Sequence, residues 1–352
     1  MKSNVMRKLW IDPDLLENKS GIGRDAKIMI EWLNEYFECE YVQWPEFLDL
    51  KSKYKRKFLM ALRILFGGSI HLPSKFKGTL YQSQLGPLLP GNNISLWIVR
   101  LHDLFPVTNP EWFNWWATRV FQKSLREAVD RKAIFLCDSA STEEVLKKLF
   151  KGKDLNSFVV LCRLPQTIPI SCGSCQACLS MNVAQKSKYF LSVGTIEPRK
   201  NYSFALSTWK KMVYLHENFP NLVIVGRPGW KTRKFQKELL RADKLQVLWF
   251  FDCCDGALEK LYKGAEAVIS FSLAEGFDLP PMEARQRHQK PLILSDIPVH
   301  REFHEGAAKF FNNETELVSI LAGPLSASSR FTYIETTPEV LDFIALKLKS
   351  ML

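Results

Sequence analysis

The chain has 352 residues, more than one domain usually holds, so its length predicts two domains. Its composition, 46% hydrophobic and 24% charged, is that of a globular protein and excludes wholesale disorder or a small disulfide-stapled scaffold. The net charge of +11 suits nucleic acid, an anionic membrane surface or a phosphorylated ligand, and charge alone does not choose among them.

The sequence shows neither a membrane span nor a secretory signal. Its longest apolar run, Phe58–Phe66, is interrupted by Arg63 and is far shorter than the roughly 20 residues that cross a bilayer. The first eight residues contain no apolar core of a signal peptide. We therefore expect a cytoplasmic protein without structural disulfides.

The first half alternates short apolar runs with helical patterns. Strands are predicted at Lys8–Ile11, Glu40–Trp44, Leu96–Leu101, Ala133–Cys137 and Phe158–Cys162. Helices are predicted at Arg24–Phe37, Trp112–Arg131 and Thr142–Phe150. This alternation is typical of a parallel sheet covered by helices.

The same rhythm restarts after an irregular stretch at 163–188 that contains prolines, serines and a glycine. Strands are predicted at Tyr189–Val193, Leu222–Val225, Gln246–Phe251, Ala267–Phe271 and Pro291–Leu294, with a helix at Tyr202–Leu215. The predicted fold is α/β, with two Rossmann-like doubly wound domains that face each other across a cleft. The predicted limits are 1–165 for the first domain, 166–187 for a linker, 188–330 for the second domain and 331–352 for a helical segment packed back on the first domain.

A loop after the strand Ala267–Phe271 carries two carboxylates, Glu275 and Glu283, around the start of a helix. The loop amides and the positive end of the helix dipole favour an anion, while carboxylates beside them can accept hydrogen bonds from sugar hydroxyls. Such a turn suits a nucleotide sugar.

Two more strand ends contribute glycines and cations. Gly194 permits close backbone approach, and Arg199 with Lys200 can neutralise the charge that grows on a diphosphate leaving group. Gly226 and Arg227 begin a similar turn after the next strand. Parallel strands bind ligands at their carboxyl ends, so these turns are predicted to lie at one edge.

Five segments resemble, in the same order, the motifs of family-four retaining glycosyltransferases: Val193–Asn201, Leu222–Trp230, Leu261–Ala265, Glu275–Glu283 and Ser295–Glu302. The resemblance is strong from about Tyr189 to Asn312 and looser over 8–160. It implies the fold known as GT-B, with an acceptor-side first domain (1–165) and a donor nucleotide sugar held by the second domain (188–330). It implies neither a required metal nor a required cofactor.

The resemblance also implies roles for single residues. Glu275 is expected to contact the transferred sugar, Glu283 the nucleotide ribose, and Lys200 with Arg199 the diphosphate. His102, in a His-Asp context after the strand Leu96–Leu101, is expected near the reacting sugar; a hydrogen-bonded structural histidine is the alternative. The remaining predicted donor-site residues are Gly21, Gly23, Gly194, Thr195, Gly226, Arg227, Gly276, Phe277, Asp278 and Leu279.

Three features depart from the family pattern. One is the bulky, basic stretch Arg285–Gln289 after Glu283, where small residues are typical. Asp278 stands where glycine is usual, and an unpaired carboxylate near phosphates would repel them unless it meets a cation. Thr195 replaces an arginine that many relatives carry, and Arg199 is expected to compensate.

The segment Lys51–Phe66 contains six cations and no acid, with apolar residues at helical spacing. This pattern predicts peripheral binding to an anionic membrane surface, on the inner leaflet of the cell membrane. A core-facing helix with a solvated basic end is the alternative.

Three cysteines, Cys172, Cys175 and Cys178, are spaced so that their thiolates can converge on zinc or an iron–sulfur cluster, with Cys162 as a fourth ligand. The second pair of a paired zinc motif is absent, so reduced cysteines without metal are favoured. Cys254 and its neighbour Cys253 follow a buried strand and are interpreted as packing residues.

The leading hypothesis is a retaining glycosyltransferase that moves a hexose, with mannose as the expected sugar, from GDP-mannose or another nucleoside diphosphate sugar. The expected acceptor is a lipid-linked saccharide, a surface polysaccharide or a lipopolysaccharide such as O-antigen. A catalytically silent relative that binds saccharide or nucleotide is the alternative. Nucleic-acid binding is disfavoured because no recognition-helix or ribonucleoprotein-type motif appears.

Overall fold

A computed structural model describes residues 8–12, 21–42, 70–162, 164, 172–181, 187–241, 246–325, 342, 343, 346 and 350. The chain divides into two compact units, Met1–Arg163 with Ile334–Leu352, and Leu164–Tyr333. In the part of the chain that is described, no helix is both long and apolar enough to cross a bilayer. The basic segment Lys51–Phe66 lies outside the described residues.

The first unit contains a six-stranded sheet in the order β2-β1-β4-β6-β7-β8, in which all neighbours are parallel. Its strands are β1 (Lys8–Ile11), β2 (Glu38–Tyr41), β4 (Gly78–Gln82), β6 (Ile94–Leu101), β7 (Ile134–Cys137) and β8 (Asn156–Val159), with β3 (Ile70–His71) and β5 (Leu88–Leu89) forming a small separate sheet. The helices are α1 (Gly21–Asn34), α2 (Phe105–Thr108), α3 (Trp115–Asp130) and α4 (Ala140–Leu149).

The second unit repeats this architecture with a parallel sheet in the order β11-β10-β9-β12-β13-β14. Its strands are β9 (Tyr189–Val193), β10 (Asn221–Val225), β11 (Val247–Phe250), β12 (Ala267–Ser270), β13 (Leu292–Ser295) and β14 (Lys309–Phe311). Its helices are α5 (Gln176–Leu179), α6 (Tyr202–Leu215), α7 (Arg233–Leu239), α8 (Asp255–Gly264), α9 (Leu279–His288), α10 (Pro298–His304) and α11 (Glu314–Ala322).

The strands of the second unit are buried on both faces. In β10, Leu222 and Ile224 pack in one apolar cluster with Trp209 of α6, whereas Val223 packs in the opposite cluster with Tyr262 of α8. Burying each apolar side chain stabilises the fold by roughly 1.5–3 kcal/mol. Continuous apolar strands are therefore the expected consequence of a sheet covered by helices on both sides.

The two-sheet fold matches the sequence prediction, with local differences. The strands β1 and β9 and the helix α6 have the predicted limits. The predicted helix Trp112–Arg131 instead begins at Trp115, because Asn114 is extended and a short 3₁₀ turn, Pro110–Trp112, precedes it. The strand β4, whose sequence is interrupted by polar residues, was not predicted, and neither was the three-residue β14.

The predicted linker 166–187 contains the short helix α5, which belongs to the second unit. Ala177 of α5 and the preceding Cys175 pack in the apolar cluster that contains Leu261 of α8. This part of the predicted linker therefore packs within the second unit. The helix is held by a side chain as well as by packing. Gln176 accepts hydrogen bonds from the amides of Phe251 and Asp252.

Candidate active site

Three turns of the second unit meet at the carboxyl edge of its sheet. The register of β9 and β10 pairs Val193 with Val225, so Gly194 and Gly226 leave the sheet side by side. The neighbouring strand β12 leads into the loop 271–278, whose Leu273 donates its amide hydrogen bond to the carbonyl of Arg199 at 2.8 Å. Parallel strand order therefore brings the predicted cation turn and the predicted carboxylate turn into contact.

The glycine at position 226 is required by this close approach. A Cβ there would lie 1.8 Å from the carbonyl oxygen of Gly194, which is backbone and cannot rotate away. Gly194 in turn accommodates Lys200, because a Cβ at 194 would lie 2.8 Å from Lys200 Cε. The lysine side chain thus crosses directly over the end of β9.

We expect Gly226→Ala to displace this turn, lowering the free energy of unfolding by about 1–3 kcal/mol. Thermal denaturation measures this effect. Gly86→Ala is the matched control, since a Cβ at Gly86 meets no atom within 4 Å. Equal melting temperatures for the two variants would contradict the steric argument.

Lys200 forms the centre of the cluster. Its Nζ lies 2.7 Å from Glu275 Oε1 and 3.0 Å from Asp278 Oδ1, and the lysine is only 7% exposed. Burial alone would lower the pKa of Lys200, but Asp278 and Glu275 outweigh it and raise the pKa above its usual value. The ammonium therefore stays charged throughout the physiological range.

Arg199 extends the cluster on the other side of Glu275. Its guanidinium pairs with Glu275 and, through Nε at 2.7 Å, with Glu197. Burial raises the pKa of Glu197, and the arginine and Lys200 offset this only in part. Ser272 completes the environment of Glu275 by donating to Oε1 at 2.6 Å.

Asp278, the residue that departs from the family pattern, is paired and does not repel its surroundings. Besides Lys200, it accepts a hydrogen bond from Ser270 at 2.7 Å and lies 2.9 Å from His300 Nε2. Its backbone has φ of 62°, the left-handed region that glycine adopts freely and aspartate tolerates. The carboxylate thus meets the cation that the sequence analysis required of it.

The pairing of Asp278 predicts acid sensitivity. Burial alone would raise its pKa, but Lys200 and His300 hold it well below the usual range. Because the pKa of Asp278 is lower in the folded than in the unfolded state, ionisation stabilises the fold at pH values above the unfolded pKa of about 3.9. This stabilisation is lost as the pH falls below the unfolded pKa toward the folded pKa. Asp278→Asn is expected to be less stable by about 3 kcal/mol at pH 7, and its difference from wild type should shrink below about pH 4.

Urea denaturation of both proteins between pH 7 and pH 3.5 measures this difference. Asp154→Asn is the control, because Asp154 pairs with Lys132 at 3.5 Å on an exposed surface and such pairs contribute at most about 1 kcal/mol. A stability difference for Asp278→Asn that is constant with pH would contradict the assigned ionisation.

The other predicted donor-site residues of the second unit differ in their burial and in their contacts. Glu283, in the first turns of α9, is buried and accepts a hydrogen bond from Tyr262 at 2.9 Å. Phe277 is buried against Phe303, with ring centroids 4.7 Å apart. Gly276 and Leu279 flank Phe277 and Asp278 at the start of α9, while Thr195 is half-buried and Arg227 exposed after their strands.

In the first unit, His102 directly follows β6 and is surrounded by acceptors. Its Nε2 lies 3.1 Å from the carbonyl oxygen of Ser83, and its Nδ1 lies 3.5 Å from Asp138 and 3.9 Å from Asp25. Burial opposes its charge, but the hydrogen bond to Asp138 and the nearby Asp25 raise the pKa of His102. Gly21 and Gly23, also predicted, form the first turn of α1, which carries Asp25.

Sequence reasoning missed the group that supports His102. Arg100 is fully buried and pairs with both carboxylate oxygens of Asp25, at 2.8 and 3.0 Å, and with Cys162 Sγ at 3.3 Å. The sequence contained one signal for this pair, a single arginine inside the apolar strand β6, because a buried guanidinium needs an acidic partner. His300, which contacts Asp278, was likewise given no role although its motif was recognised.

The part of the chain that contains Lys200 and Glu275 matches a known protein family. Residues 180–311 match the family described as Glycosyl transferases group 1. This region is therefore similar to that glycosyltransferase family. The matched region includes Lys200, Glu275 and Glu283, so the sequence resemblance to family-four glycosyltransferases is confirmed.

The chain is similar to the serotype-specific mannosyltransferase WbdA of Escherichia coli, 31% identical over 61% of the chain. The chain spans only 28% of the length of that relative. The O-antigen chain mannosyltransferase RfbU of Salmonella typhimurium is 31% identical over 38% of the chain and 36% of its own length.

Among solved structures, sucrose-phosphate synthase of Thermosynechococcus elongatus superimposes with a TM-score of 0.63. The match covers 98% of each chain at 14% identity, a level that establishes the fold alone. The predicted GT-B fold is thereby confirmed.

Proposed function

We propose that the protein is a retaining mannosyltransferase that uses GDP-mannose and extends a lipid-linked or surface saccharide of the O-antigen type. The observation that carries the proposal is the direct contact of Lys200 and Arg199 with Glu275 at the carboxyl edge of the second sheet. The named activities of WbdA and RfbU, the relatives at 31% identity, support mannose as the sugar.

In this proposal Arg199 and Lys200 bind the diphosphate of the donor. Both cations are already fixed by carboxylates, so little reorganisation is needed when negative charge develops on the leaving group. An ammonium has three donors, of which two point at Glu275 and Asp278, and the third is assigned to a phosphate oxygen.

Glu275 is assigned to the hydroxyls of the transferred sugar and Glu283 to the ribose. Ser272 and the two cations orient the Glu275 carboxylate, whose oxygens are hydrogen-bond acceptors. The leaving phosphate is proposed to accept the acceptor's proton on the same face, so that no dedicated base is needed. His102 is proposed to contact the reacting sugar.

The silent-relative alternative rested on Asp278 and on the altered stretch after Glu283. The ion pair of Asp278 with Lys200 and its contact with His300 remove the first of these motives. We therefore favour an active enzyme, cytoplasmic and peripherally attached to the inner leaflet through Lys51–Phe66. The exposed Trp115 and Trp116 at the start of α3 are consistent with such attachment.

Ligand-dependent stability and transfer test the proposal. GDP should raise the melting temperature with increasing concentration and exceed UDP and ADP in effect, because a ligand selective for the native state stabilises it. Labelled mannose should then pass from GDP-mannose to a mannoside acceptor. Absence of stabilisation by every nucleoside diphosphate would reject a donor site, and selective stabilisation by UDP would reject GDP-mannose.

A further inference from the structure

A second cluster of reactive side chains lies at β11, the outer strand of the second sheet. Cys172, Cys175 and Cys178 come from the segment around α5, and Cys254 lies at the end of the turn after β11, immediately before α8. Their four Sγ atoms all lie within 4.8 Å of one another, and none of the four forms a disulfide. The fourth thiol is therefore supplied by Cys254, whereas Cys162 belongs to the first unit and contacts Arg100.

We propose that Cys172, Cys175, Cys178 and Cys254 bind one zinc ion. A zinc–sulfur bond of about 2.3 Å in a tetrahedron places neighbouring sulfurs about 3.8 Å apart. The observed Sγ–Sγ distances are 3.9 Å for Cys172 with Cys178 and 3.6 Å for Cys178 with Cys254. An iron–sulfur cluster would hold thiolates farther apart, because several irons and sulfides lie between them.

The surrounding amides suit thiolates. The amide of Cys175 donates to Cys172 Sγ at 3.3 Å, and the amides of Cys178 and Cys254 both donate to Cys175 Sγ at 3.4 Å. The amide of Cys172 donates to Cys254 Sγ at 3.4 Å, which closes the ring of contacts. Outer hydrogen bonds of this kind orient metal ligands and stabilise their charge.

Four protein ligands leave no open coordination position, so the ion is structural and not catalytic. It would fasten the segment around α5 to the turn between β11 and α8. The same two segments are already joined by Gln176, which accepts from the amides of Phe251 and Asp252. Zinc binding displaces the four thiol protons and adds a covalent tie to this contact.

Elemental analysis of untagged protein, purified under reducing conditions without chelator, tests the site. We expect one zinc ion per chain, and loss of that ion in Cys178→Ser and in Cys254→Ser. Cys253→Ser is the matched control: this neighbour of Cys254 lies outside the four-thiol cluster and should keep the zinc. A chain without metal after zinc addition, iron with inorganic sulfide, or equal zinc loss in Cys253→Ser would overturn the proposal.

Wild-type protein provides a second measurement if the serine variants fail to fold. Cobalt exchanged into the site should give the intense visible absorption of a tetrahedral tetrathiolate ion, and stripping the metal should lower the melting temperature reversibly. Two results would contradict the assignment. One is a cobalt form with only the weak absorption of six-coordinate oxygen ligation, and the other is a melting temperature that does not change when the metal is removed.

Discussion

Under the proposed function, replacing Glu275 by glutamine is expected to lower mannose transfer from GDP-mannose by about 10²–10³-fold. Loss of a buried charge should also lower the free energy of unfolding by about 1–3 kcal/mol. The amide retains the shape of the carboxylate but loses its charge and half of its acceptor capacity. After the change, Lys200 still pairs with Asp278, and Arg199 still pairs with Glu197. Steady-state turnover, with denaturation curves of the same samples, separates a chemical defect from a folding defect.

The matched control for this variant is Glu259→Gln. Glu259 is a buried acid of α8 in the same unit, paired with Arg287 and with His288 at 2.8 Å, and it has no assigned role in transfer. We expect it to reduce stability but not turnover. Full activity of Glu275→Gln, or equal loss in both variants, would show that Glu275 does not act on the sugar.

Replacing Lys200 by methionine is expected to abolish transfer and to weaken GDP binding by about 2 kcal/mol or more, roughly thirtyfold. Removing the ammonium deprives a donor phosphate of its charge-assisted contact. It also leaves Asp278 and Glu275 without their shared partner, which should cost about 3 kcal/mol of stability. Titration calorimetry with GDP measures the first effect and urea denaturation the second.

The double variant Lys200→Met with Asp278→Asn distinguishes the two effects. It removes one charge of each sign and retains hydrogen-bonding groups toward Ser270 and His300, so most of the stability should return. GDP binding should remain weak, because the phosphate contact is still absent. Binding as tight as wild type in this stable double variant would mean that Lys200 is not a diphosphate ligand.

The sequence predicted best what depends on local pattern. The strand β9 is a short, mostly apolar run between Lys188 and Gly194, and its observed limits are the predicted ones because a strand buried on both faces needs such a run. Parallel topology then placed Lys200 and Glu275 together, since both follow strand ends at one edge. These inferences needed no knowledge of individual side-chain contacts.

Partners that are distant in sequence were beyond such reasoning. The pairing of Asp278 with Lys200 and His300 joins three separate segments of the chain, and no pattern within one segment reveals it. Arg100 meets Asp25 across 75 positions, and Cys254 lies 76 positions from Cys178. In each case the partner is fixed by tertiary structure, which spacing along the chain does not encode.

Hydrogen exchange read by mass spectrometry, with and without GDP-mannose, tests most directly whether these turns hold the donor. Amides in peptides covering 194–201, 226–231 and 275–284 should become protected on binding, and Lys200→Met should remove that protection. Protection by the nucleotide sugar elsewhere in the second unit, with these three turns unchanged, would contradict the central claim.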